Sequence, residues 1–362
     1  MFDLIVIGGG PAGSAAAITA ARSGASVLLL ERGKFPRHKV CGEFVSAESL
    51  GLLGDLLEGH AESLLQNAAR INNTRVFLDG RQLRTKIDPP AASIARIDLD
   101  AALWRAANQA GVDAREQVSV QGIEQNPHFT IATTVGDFES RAVINASGRW
   151  SNLTATAHSN GSGRWLGLKA HYTEEWASNS VDLYFFDGGY CGVQPVSLAD
   201  GRREARINAC AMVRSDVAIS LPGVFAQNPY LQERAARWKP VSEPVTTSPL
   251  CFREPQPVRE NILMAGDAVA FVDPFVGDGI SLALRSGTLA AQYLVPFFAG
   301  QISLAEAAMH YRECHRQRLA SVYRVSSRIR RMLDIPRAVR VPVVALLERA
   351  PGLTEYLVRK TR

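Results

Sequence analysis

The chain has few cysteines, and their spacing does not resemble that of a metal site or a disulfide framework. Among its 362 residues the cysteines are Cys41, Cys191, Cys210, Cys251 and Cys314. Their number is odd, no pair forms a CxxC motif, and no histidine lies at metal-ligand spacing from them. We therefore expect no metal and no disulfide framework, and we expect a reducing compartment, most simply the cytoplasm.

The sequence also lacks a run of the roughly 20 apolar residues that would cross a bilayer. Its longest apolar runs are short and lie around Val295 and Val341. The apolar N-terminus has no basic n-region, and three consecutive glycines and a proline interrupt it, so a strand and a turn are expected there instead of a secretion signal. With 46% hydrophobic and 21% charged residues, the composition is typical of a compact globular chain.

Net charge is small, +5 at pH 7, and much of it lies near the C-terminus. The segment from Ser321 onward contains ten Arg and Lys but only three Asp and Glu, so the rest of the chain is nearly neutral. Nucleic acid is therefore not expected as a partner. This tail has apolar residues at helical spacing from Val341 to Leu347, with interleaved arginines at positions Arg328, Arg330, Arg331, Arg337 and Arg340. It is either the solvated face of a packed helix or a basic amphipathic helix for weak peripheral membrane contact or an acidic carrier protein.

A glycine-rich turn follows the first strand. Phe2 to Ile7 is a short run of branched apolar residues, typical of a buried parallel strand, and GGGPAG comes directly after it. In this fingerprint Gly8 permits the tight turn, Gly10 lets the backbone approach a pyrophosphate, and Gly13 allows close packing of helix and strand. Pro11 and Ala12 complete the loop, and the helix predicted from Ser14 to Ser23 offers its N-terminus to phosphates.

An acidic residue ends the second strand. Ala25 to Leu30 is a buried strand followed by Glu31 and Arg32, and Glu31 lies 18 residues after Gly13. A carboxylate in this position is placed to accept hydrogen bonds from an adenosine ribose. The complete strand, turn, helix, strand and acid pattern predicts a dinucleotide site but leaves NAD and FAD as alternatives.

A second block, NILMAGDAVAFVDPFVGDGISLALRSG, begins at Asn261. It predicts a strand to Ala265, a turn at Gly266 and Asp267, and a helix that Gly277 and Gly279 open and that runs from about Ile280. Here the sequence resembles the flavoprotein superfamily of para-hydroxybenzoate hydroxylase type, and within it the geranylgeranyl-reductase-like branch with its pattern GDAAG…DPxxGxGIxxAxxSG.

This resemblance implies a non-covalent FAD. Asp267 would bind the ribitol side, Gly279 and Ile280 would present N–H groups to the flavin N1 and O2 edge, and Pro274 would shape the loop. The physical chemistry agrees, because a helix N-terminus stabilises the negative charge that reduced flavin carries at that edge.

Three further stretches resemble the same superfamily. Arg96 precedes a helix and would contact the cofactor, with a surface arginine as the alternative. The strand from Arg141 to Gly148 would return against the adenosine half, although this chain has Ser147-Gly148 where monooxygenases usually have Asp-Gly. Phe35 to Glu43, FPRHKVCGE, is similar to the PRxKxCG segment of geranylgeranyl reductases, which lies beside the isoalloxazine.

That last segment supplies the catalytic candidates. Cys41 and Glu43 would lie near the flavin as polarising or proton-delivering groups, and Cys41 and Gly42 would contact the cofactor. The alternative for Cys41 is a small buried hydrophobic residue, which is what a free cysteine most often is.

Between the flavin segments the pattern changes. Residues 162–252 contain alternating runs and turn signals that predict an antiparallel sheet. GYCGVQP, from Gly189 to Pro195, takes the place of the reductases' YxWxFP stretch and departs from the WxWxIP of flavin halogenases. Tyr190, Cys191 and Gln194 are candidates to face substrate, with the sheet core as their alternative position.

The expected fold is α/β: a Rossmann-like FAD-binding domain, a discontinuous antiparallel-sheet substrate domain and a C-terminal helical segment. The FAD domain would comprise 1–74, 92–160 and 253–325, the substrate domain 75–91 and 161–252, and the basic segment 326–362. The sequence has no second GxGxxG motif, so NADPH or NADH would dock transiently, or an electron-donor protein would deliver electrons.

By its resemblance the chain would reduce or desaturate a carbon–carbon bond of an apolar small molecule, isoprenoid-like or carrier-bound. An FAD-dependent monooxygenase is the alternative enzyme. A flavin-binding scaffold without turnover is the alternative outside enzymes, because this fold supports many chemistries.

Overall fold

The structure, a computed structural model, describes residues 1–59, 62–149, 153, 164–176, 178–198, 204–247, 250, 252–333 and 341–342. The strands in this part of the chain are β1 (Phe2–Ile7), β2 (Val27–Leu30), β3 (Phe44–Val45), β4 (Ala69–Leu78), β5 (Arg81–Ser93), β6 (Asp113–Arg115), β7 (Val120–Gln125), β8 (Phe129–Thr133), β9 (Gly136–Asn145), β10 (Trp165–Thr173), β11 (Ser180–Phe186), β12 (Gly189–Pro195), β13 (Arg206–Arg214), β14 (Lys239–Pro240), β15 (Val245–Thr247), β16 (Val258–Arg259) and β17 (Ile262–Met264). The helices are α1 (Pro11–Arg22), α2 (Ala47–Leu57), α3 (Glu62–Gln66), α4 (Arg96–Gln109), α5 (Leu221–Phe225), α6 (Pro229–Ala235), α7 (Gly279–Phe298), α8 (Leu304–Arg318) and α9 (Ala320–Leu333).

The first sheet has a parallel centre in the order β17, β9, β1, β2, β6. Alternate side chains of β1 enter two different cores, as expected for a strand covered on both faces. Leu4 and Val6 pack with α1, α4 and α7, whereas Ile5 and Ile7 pack beneath the β7–β8 hairpin. The α/β class and the Rossmann-like arrangement predicted from the sequence are confirmed.

The parallel order also determines where a ligand can bind. The carboxyl ends of β1, β2, β9 and β17 lie at one edge of the sheet, so the loops that follow them meet there. These loops contain the predicted glycine turn, Glu31, Gly148 and Gly266.

The second sheet follows the order β14, β10, β13, β12, β11, β4, β5, β3, with β15 also paired to β10. One face carries an apolar core that includes Val193, Val213 and side chains of α5 and α6 such as Leu221 and Leu231. The other face is turned toward the loops of the first sheet, because Gly167, Tyr190 and Met212 line a cavity together with those loops.

This sheet departs from the predicted boundaries. Its first hairpin spans 69–93 instead of 75–91, and β3 adds an edge strand at Phe44–Val45. A register irregularity between Ile71 and Asn73 breaks the alternation of side chains, which hides the start of β4 from a sequence pattern. The sheet is also mixed and not wholly antiparallel, because β4 and β11 run parallel.

Helix α9 crosses the predicted boundary at residue 326 without a break. Arg328, Arg330 and Arg331 lie on it, whereas Arg337, Arg340 and most of the apolar run after Val341 lie outside the described residues, so the nature of that run stays a prediction. In the part of the chain that the structure describes, no helix combines the length and apolarity needed to cross a membrane.

Candidate functional site

A cavity of about 730 Å³ lies between the loops of the first sheet and the second sheet. Its size is within the range of pockets that hold small molecules and cofactors. All the predicted cofactor residues except Gly13 line it: Gly8, Gly10, Pro11, Ala12, Glu31, Arg32, Cys41, Gly42, Arg96, Gly148, Gly266, Asp267, Pro274, Gly277, Gly279 and Ile280. The structure therefore brings together segments that are about 270 residues apart in the sequence, while the individual roles of these residues stay predictions.

The glycine turn has the sterics that its sequence predicts. Gly8 adopts a φ of +104°, and a β-carbon there would overlap the carbonyl oxygen of Ala146. A β-carbon at Gly13 would overlap the carbonyl oxygen of Gly8, which explains why Gly13 lies behind the cavity and packs the helix against the turn. At Gly10 the nearest atom is an Arg96 nitrogen 4.0 Å away, so this backbone is open to close approach by a ligand.

Glu31 is buried at the end of β2, and its carboxylate already has three donors. Oε2 accepts hydrogen bonds from the Gly9 N–H at 2.8 Å and from Arg37 at 3.0 Å, and Oε1 accepts one from the Gly33 N–H at 2.8 Å. A carboxylate oxygen accepts about two hydrogen bonds, so Oε1 retains capacity for one more donor. This geometry suits the predicted contact with a ribose hydroxyl.

Two helices present uncapped N-termini to the cavity. Neither α1, which begins at Pro11, nor α7, which begins at Gly279, has a side-chain cap hydrogen bond or an acidic residue in its first turn. By contrast, Ser303 and Glu306 close α8 with a capping box. Unpaired N–H groups and the positive dipole end make such N-termini anion sites, so the cavity suits a ligand with phosphate at one end and a negatively charged ring edge at the other.

The loop from Phe35 to Glu43 is tied to both halves of the molecule. The Phe35 N–H donates to Glu116 at 3.0 Å, and the Cys41 carbonyl accepts from the Asn208 side chain on β13 at 3.0 Å. Residues 37–44 line the cavity between these anchors.

Glu43 forms the last anchor. Its side chain is fully buried; Oε1 accepts hydrogen bonds from the Arg96 N–H at 2.7 Å and from Lys169 Nζ, and Oε2 lies 2.8 Å from His171 Nε2. Lys169 and His171 are themselves buried and lie two residues apart on β10, so they point to the same face of the second sheet.

These contacts decide the charge of Glu43. Burial acts to raise the pKa of its carboxyl, but the hydrogen bond from His171 and the charge of Lys169 outweigh it and hold the pKa below its usual value. A carboxylate that stays ionised at neutral pH does not fit the predicted proton-delivering role. The structure instead favours a positioning role, in which Glu43 joins the loop to α4 and β10.

Cys41 is half-buried in the cavity wall, and its Sγ accepts the Glu43 N–H at 3.3 Å. Although burial opposes the charge on Arg96, the bidentate pair with Asp100 raises its pKa, so the guanidinium stays charged beside the thiol. Lys39 also lines the cavity, and burial followed by the charges of Arg37 and Arg96 lowers its pKa to about 8. A thiol and an amine with a lowered pKa therefore lie on the same wall.

A family model described as FAD dependent oxidoreductase matches residues 3–133, which include the glycine turn, Glu31, the 35–43 loop and Arg96. The chain is 27% identical over 322 residues to the menaquinone reductase of Mycobacterium tuberculosis, covering 81% of this chain and 76% of that protein. It is 28% identical over 314 residues to digeranylgeranylglycerophospholipid reductase 2 of Methanopyrus kandleri, covering 80% and 76%. The chain is therefore similar to FAD-dependent oxidoreductases, both in the matched N-terminal segment and along most of its length.

The overall fold is also similar to that of a solved structure. A flavin-dependent brominase superposes with a TM-score of 0.79 at 20% identity, over 99% of this chain and 93% of that chain. The residues of the cavity fit FAD: the two uncapped helix ends, the open backbone at Gly10 and the available Oε1 of Glu31 match a pyrophosphate, a flavin edge and a ribose.

The cavity has an apolar wall beside these cofactor elements. Tyr190, Met212, Leu250 and Phe271 line the cavity and belong to one apolar cluster. Burial raises the pKa of Tyr190 well above its usual value, so the hydroxyl remains protonated. Tyr190 therefore lies in the cavity wall, and its contact with a substrate stays a prediction.

Its two predicted companions are not at the cavity. Cys191 is fully buried among the residues of the opposite core, because adjacent residues of a strand point to opposite faces, and the prediction that it faces substrate is wrong. Burial raises the pKa of this thiol to about 12, as expected for an inert core residue. Gln194 shares the face of Tyr190 but is buried farther along β12, where its amide donates to Ser93 Oγ at 2.7 Å, so its predicted substrate contact is wrong as well.

Several further residues of the site are not evident from the sequence alone. Lys169 and His171 were not singled out, although two polar residues at alternate positions of the apolar run LGLKAHY indicate a polar patch on one face of a strand. Arg149 was also missed: it pairs with Asp267 at 3.6 Å and lies over the ring of Phe271, 4.2 Å from its centroid. No local pattern could identify Arg149, because both partners are distant in sequence.

Proposed function

We propose that this oxidoreductase carries out two-electron reduction or desaturation of a carbon–carbon bond in an apolar small molecule, isoprenoid-like or carrier-bound. The observation that carries the proposal is the cavity, which has cofactor-binding loops on one side and the cluster of Tyr190, Met212, Leu250 and Phe271 on the other. Two relatives whose names describe them as reductases of menaquinone and of a digeranylgeranylglycerophospholipid support the same substrate class.

Bound FAD would supply the hydride chemistry. Reduction of a double bond adds one hydride and one proton to its two carbons, so the protein must provide or relay the proton. Cys41 is the group proposed for this role because it lies in the cavity wall, where the Glu43 N–H fixes the position of its Sγ. The ionised Glu43 holds the loop in place, and the apolar wall excludes water and orients the chain of the substrate.

The electron donor is part of the proposal. The chain has one glycine fingerprint, which the FAD dinucleotide would occupy, so NADPH or NADH would dock transiently at the flavin or a separate protein would deliver electrons. Anaerobic mixing of the FAD-loaded protein with NADPH, NADH or dithionite, followed by a polyprenyl alcohol or a prenylated quinone, tests this by flavin absorbance. Reoxidation of the flavin together with a saturated product, identified by mass spectrometry, is the expected result.

Two methionines provide a matched pair of variants. Met212→Gln places an amide in the apolar wall and should raise the KM for the polyprenyl substrate about tenfold, which corresponds to about 1.4 kcal/mol. Met309→Gln makes the same change at an exposed site on α8 and should leave KM unchanged. Oxygen incorporation into the product would instead identify a monooxygenase, and the absence of any substrate-dependent flavin oxidation would indicate a flavin-binding scaffold.

A further inference from the structure

The loop before α7 forms part of the wall of the cofactor cavity, the flavin cavity. Gly277, Gly279 and Ile280 line this cavity, whereas Asp278, which lies between them in the sequence, does not. Gly277 adopts a φ of +75°, a left-handed conformation that glycine allows and most side chains avoid. The loop therefore turns sharply at the cavity surface, and the Asp278 side chain lies behind it.

Asp278 occupies the N-cap position of α7 but does not cap the helix. Aspartate is among the best capping residues, because its carboxylate accepts a hydrogen bond from the second or third N–H of a helix. Here the side chain makes no such bond, it is 2% exposed, and neither of its oxygens has a hydrogen-bond partner among the described residues. The first N–H groups of α7 thus remain available to a ligand, while a carboxylate is buried behind them.

The surroundings of this carboxylate oppose its charge. Burial raises the pKa of Asp278 from 3.8 to about 6, and Glu48 on α2 acts in the same direction. The charge of Arg285 on α7 acts to lower this pKa but does not outweigh burial. Because the pKa lies close to neutral pH, a modest change in the local potential changes the protonation of the side chain.

Three hydroxyl groups complete these surroundings. Ser46, at the N-cap of α2, and Ser281, in the first turn of α7, lie beside the carboxylate and act to lower its pKa, but their hydroxyls are hydrogen-bonded to each other at 2.8 Å. On α9, Tyr323 also faces the carboxylate, whose charge acts to raise the pKa of the tyrosine. Arg285 is therefore the one cation among the groups that act on Asp278 in the described part of the chain.

A charge at Asp278 influences a charge at the cavity surface. Adjacent Cα atoms are about 3.8 Å apart, so the carboxylate lies within about 10 Å of the cavity wall at Gly277 and Gly279. At an effective dielectric constant of about 20, two unit charges about 10 Å apart change an equilibrium constant about tenfold. The free N–H groups of α7 suit the negative ring edge of a reduced flavin, and an ionised Asp278 opposes that negative charge.

We propose that Asp278 takes up a proton when bound FAD is reduced, and thereby makes the reduction potential of the cofactor depend on pH near neutrality. FAD that gains two electrons and one proton carries one negative charge on its ring. The proton gained by Asp278 comes from solvent and offsets this charge, so the protein and cofactor together take up two electrons and two protons. Asp278 does not reach the cavity and acts through its charge alone. The proposal goes beyond the proposed function, because it requires FAD in the cavity but no particular substrate.

Potentiometric titration of the FAD-loaded full chain from about pH 5 to about pH 8 tests the proposal. At the acidic end the side chain is neutral in the wild type and in Asp278→Asn, so their potentials should agree. At the alkaline end only the wild type carries the charge. There the variant should have an about tenfold higher ratio of reduced to oxidised flavin at the same applied potential, or about 30 mV for a two-electron couple. Asp55→Asn makes the same change at an exposed position of α2 and should match the wild type at every pH.

A second variant changes the proton affinity of Asp278 without replacing it. Arg285→Gln removes the cation that lowers the pKa of Asp278, so the pH at which the slope of the potential changes should move upward. Arg105→Gln, at an exposed position of α4, should leave that pH unchanged. Infrared difference spectra at neutral pH should show a protonated-carboxyl band on reduction of the wild type, and Asp278→Asn should lack it.

Equal potentials of Asp278→Asn and the wild type over the whole pH range would overturn the proposal. A difference that is constant with pH would do the same, because it would mean that Asp278 takes up no proton. If Asp278→Asn does not fold or does not bind FAD, an unchanged slope position in Arg285→Gln is sufficient to overturn it. A chain that binds no FAD would refute both this proposal and the proposed function. A pH-dependent difference without alkene reduction would refute the proposed function alone.

Discussion

Replacement of Glu31 by alanine tests the adenosine end of the cofactor site. Glu31 is buried, lines the flavin cavity and holds the Gly9 and Gly33 N–H groups at 2.8 Å. The substitution therefore removes two things at once: an acceptor for the ribose, and the partner of the glycine turn.

Each loss has its own magnitude. A hydrogen bond between a ribose hydroxyl and a carboxylate contributes about 1.5–3 kcal/mol, so FAD binding should weaken roughly 10-fold to 150-fold. The buried Gly9 N–H loses its acceptor as well, which costs about 1–3 kcal/mol of stability in the FAD-free protein. The affinity and the stability of the apoprotein should therefore both fall.

A control separates the two effects. Glu116 accepts the Phe35 N–H at 3.0 Å, next to the Gly33 and Arg37 contacts of Glu31, but does not line the cavity. Glu116→Ala should therefore lower stability and leave FAD affinity nearly unchanged. FAD affinity is measured by fluorescence titration of the apoprotein, and stability by thermal unfolding. If Glu31→Ala loses stability but binds FAD within about threefold of the wild type, a shift of under 1 kcal/mol, Glu31 only supports the turn and the ribose contact is refuted.

Three other substitutions probe the remaining site. Glu43→Gln should lower the free energy of unfolding by about 3–5 kcal/mol, because it leaves the buried Lys169 ammonium without a carboxylate. In urea denaturation, the double variant with Lys169→Met should recover most of this loss. No recovery would contradict the pairing of Glu43 with Lys169. Burial raises the pKa of Asp278 from 3.8 to about 6, so the folded state binds the proton more tightly than the unfolded state. Stability then falls as pH rises from about 4 to about 6, by up to about 3 kcal/mol. Asp278→Asn should remove this loss in thermal melts at pH 4 and pH 7.5, and an unchanged pH dependence would contradict the assignment. Cys41→Ser should reduce turnover about 10²-fold to 10⁴-fold with little change in FAD affinity. The control Cys314→Ser on α8 should leave turnover unchanged. A loss of turnover under about tenfold for Cys41→Ser would indicate a structural thiol.

The sequence predicted the cofactor half of the molecule well because its constraints are local. Gly8 and Gly13 must be glycine to avoid overlap with Ala146 and with Gly8 itself, and the whole strand, turn and helix lies within about thirty residues. The helix at Gly279 was predicted to within one residue for the same reason. The residues that determine these elements all lie within a short stretch of sequence.

The second sheet was harder to predict from the sequence. Its strands pair across long separations, as Tyr184 pairs with Phe77, so register is determined by contacts that no single stretch contains. The prediction chose both Tyr190 and Cys191 as substrate residues, which the pleat of one strand forbids. Assigning the two faces required the cores on each side of the sheet, and these form only when α5, α6 and the flavin loops are in place.

The 35–43 loop shows why the catalytic half was harder to assign than the cofactor half. One end is fixed by the ion pair of Arg37 with Glu31, beside the dinucleotide turn, and the other by Glu43 with Lys169 on the second sheet. Charge-assisted bonds at both ends limit the freedom of the residues between them, among them Cys41, and such limited freedom is what productive geometry requires. In a motif such as KVCGE the cysteine and the glutamate look like equal candidates. The buried partners on β10 lower the pKa of the glutamate and favour a role in holding the loop, which leaves Cys41 as the group proposed to act on a substrate.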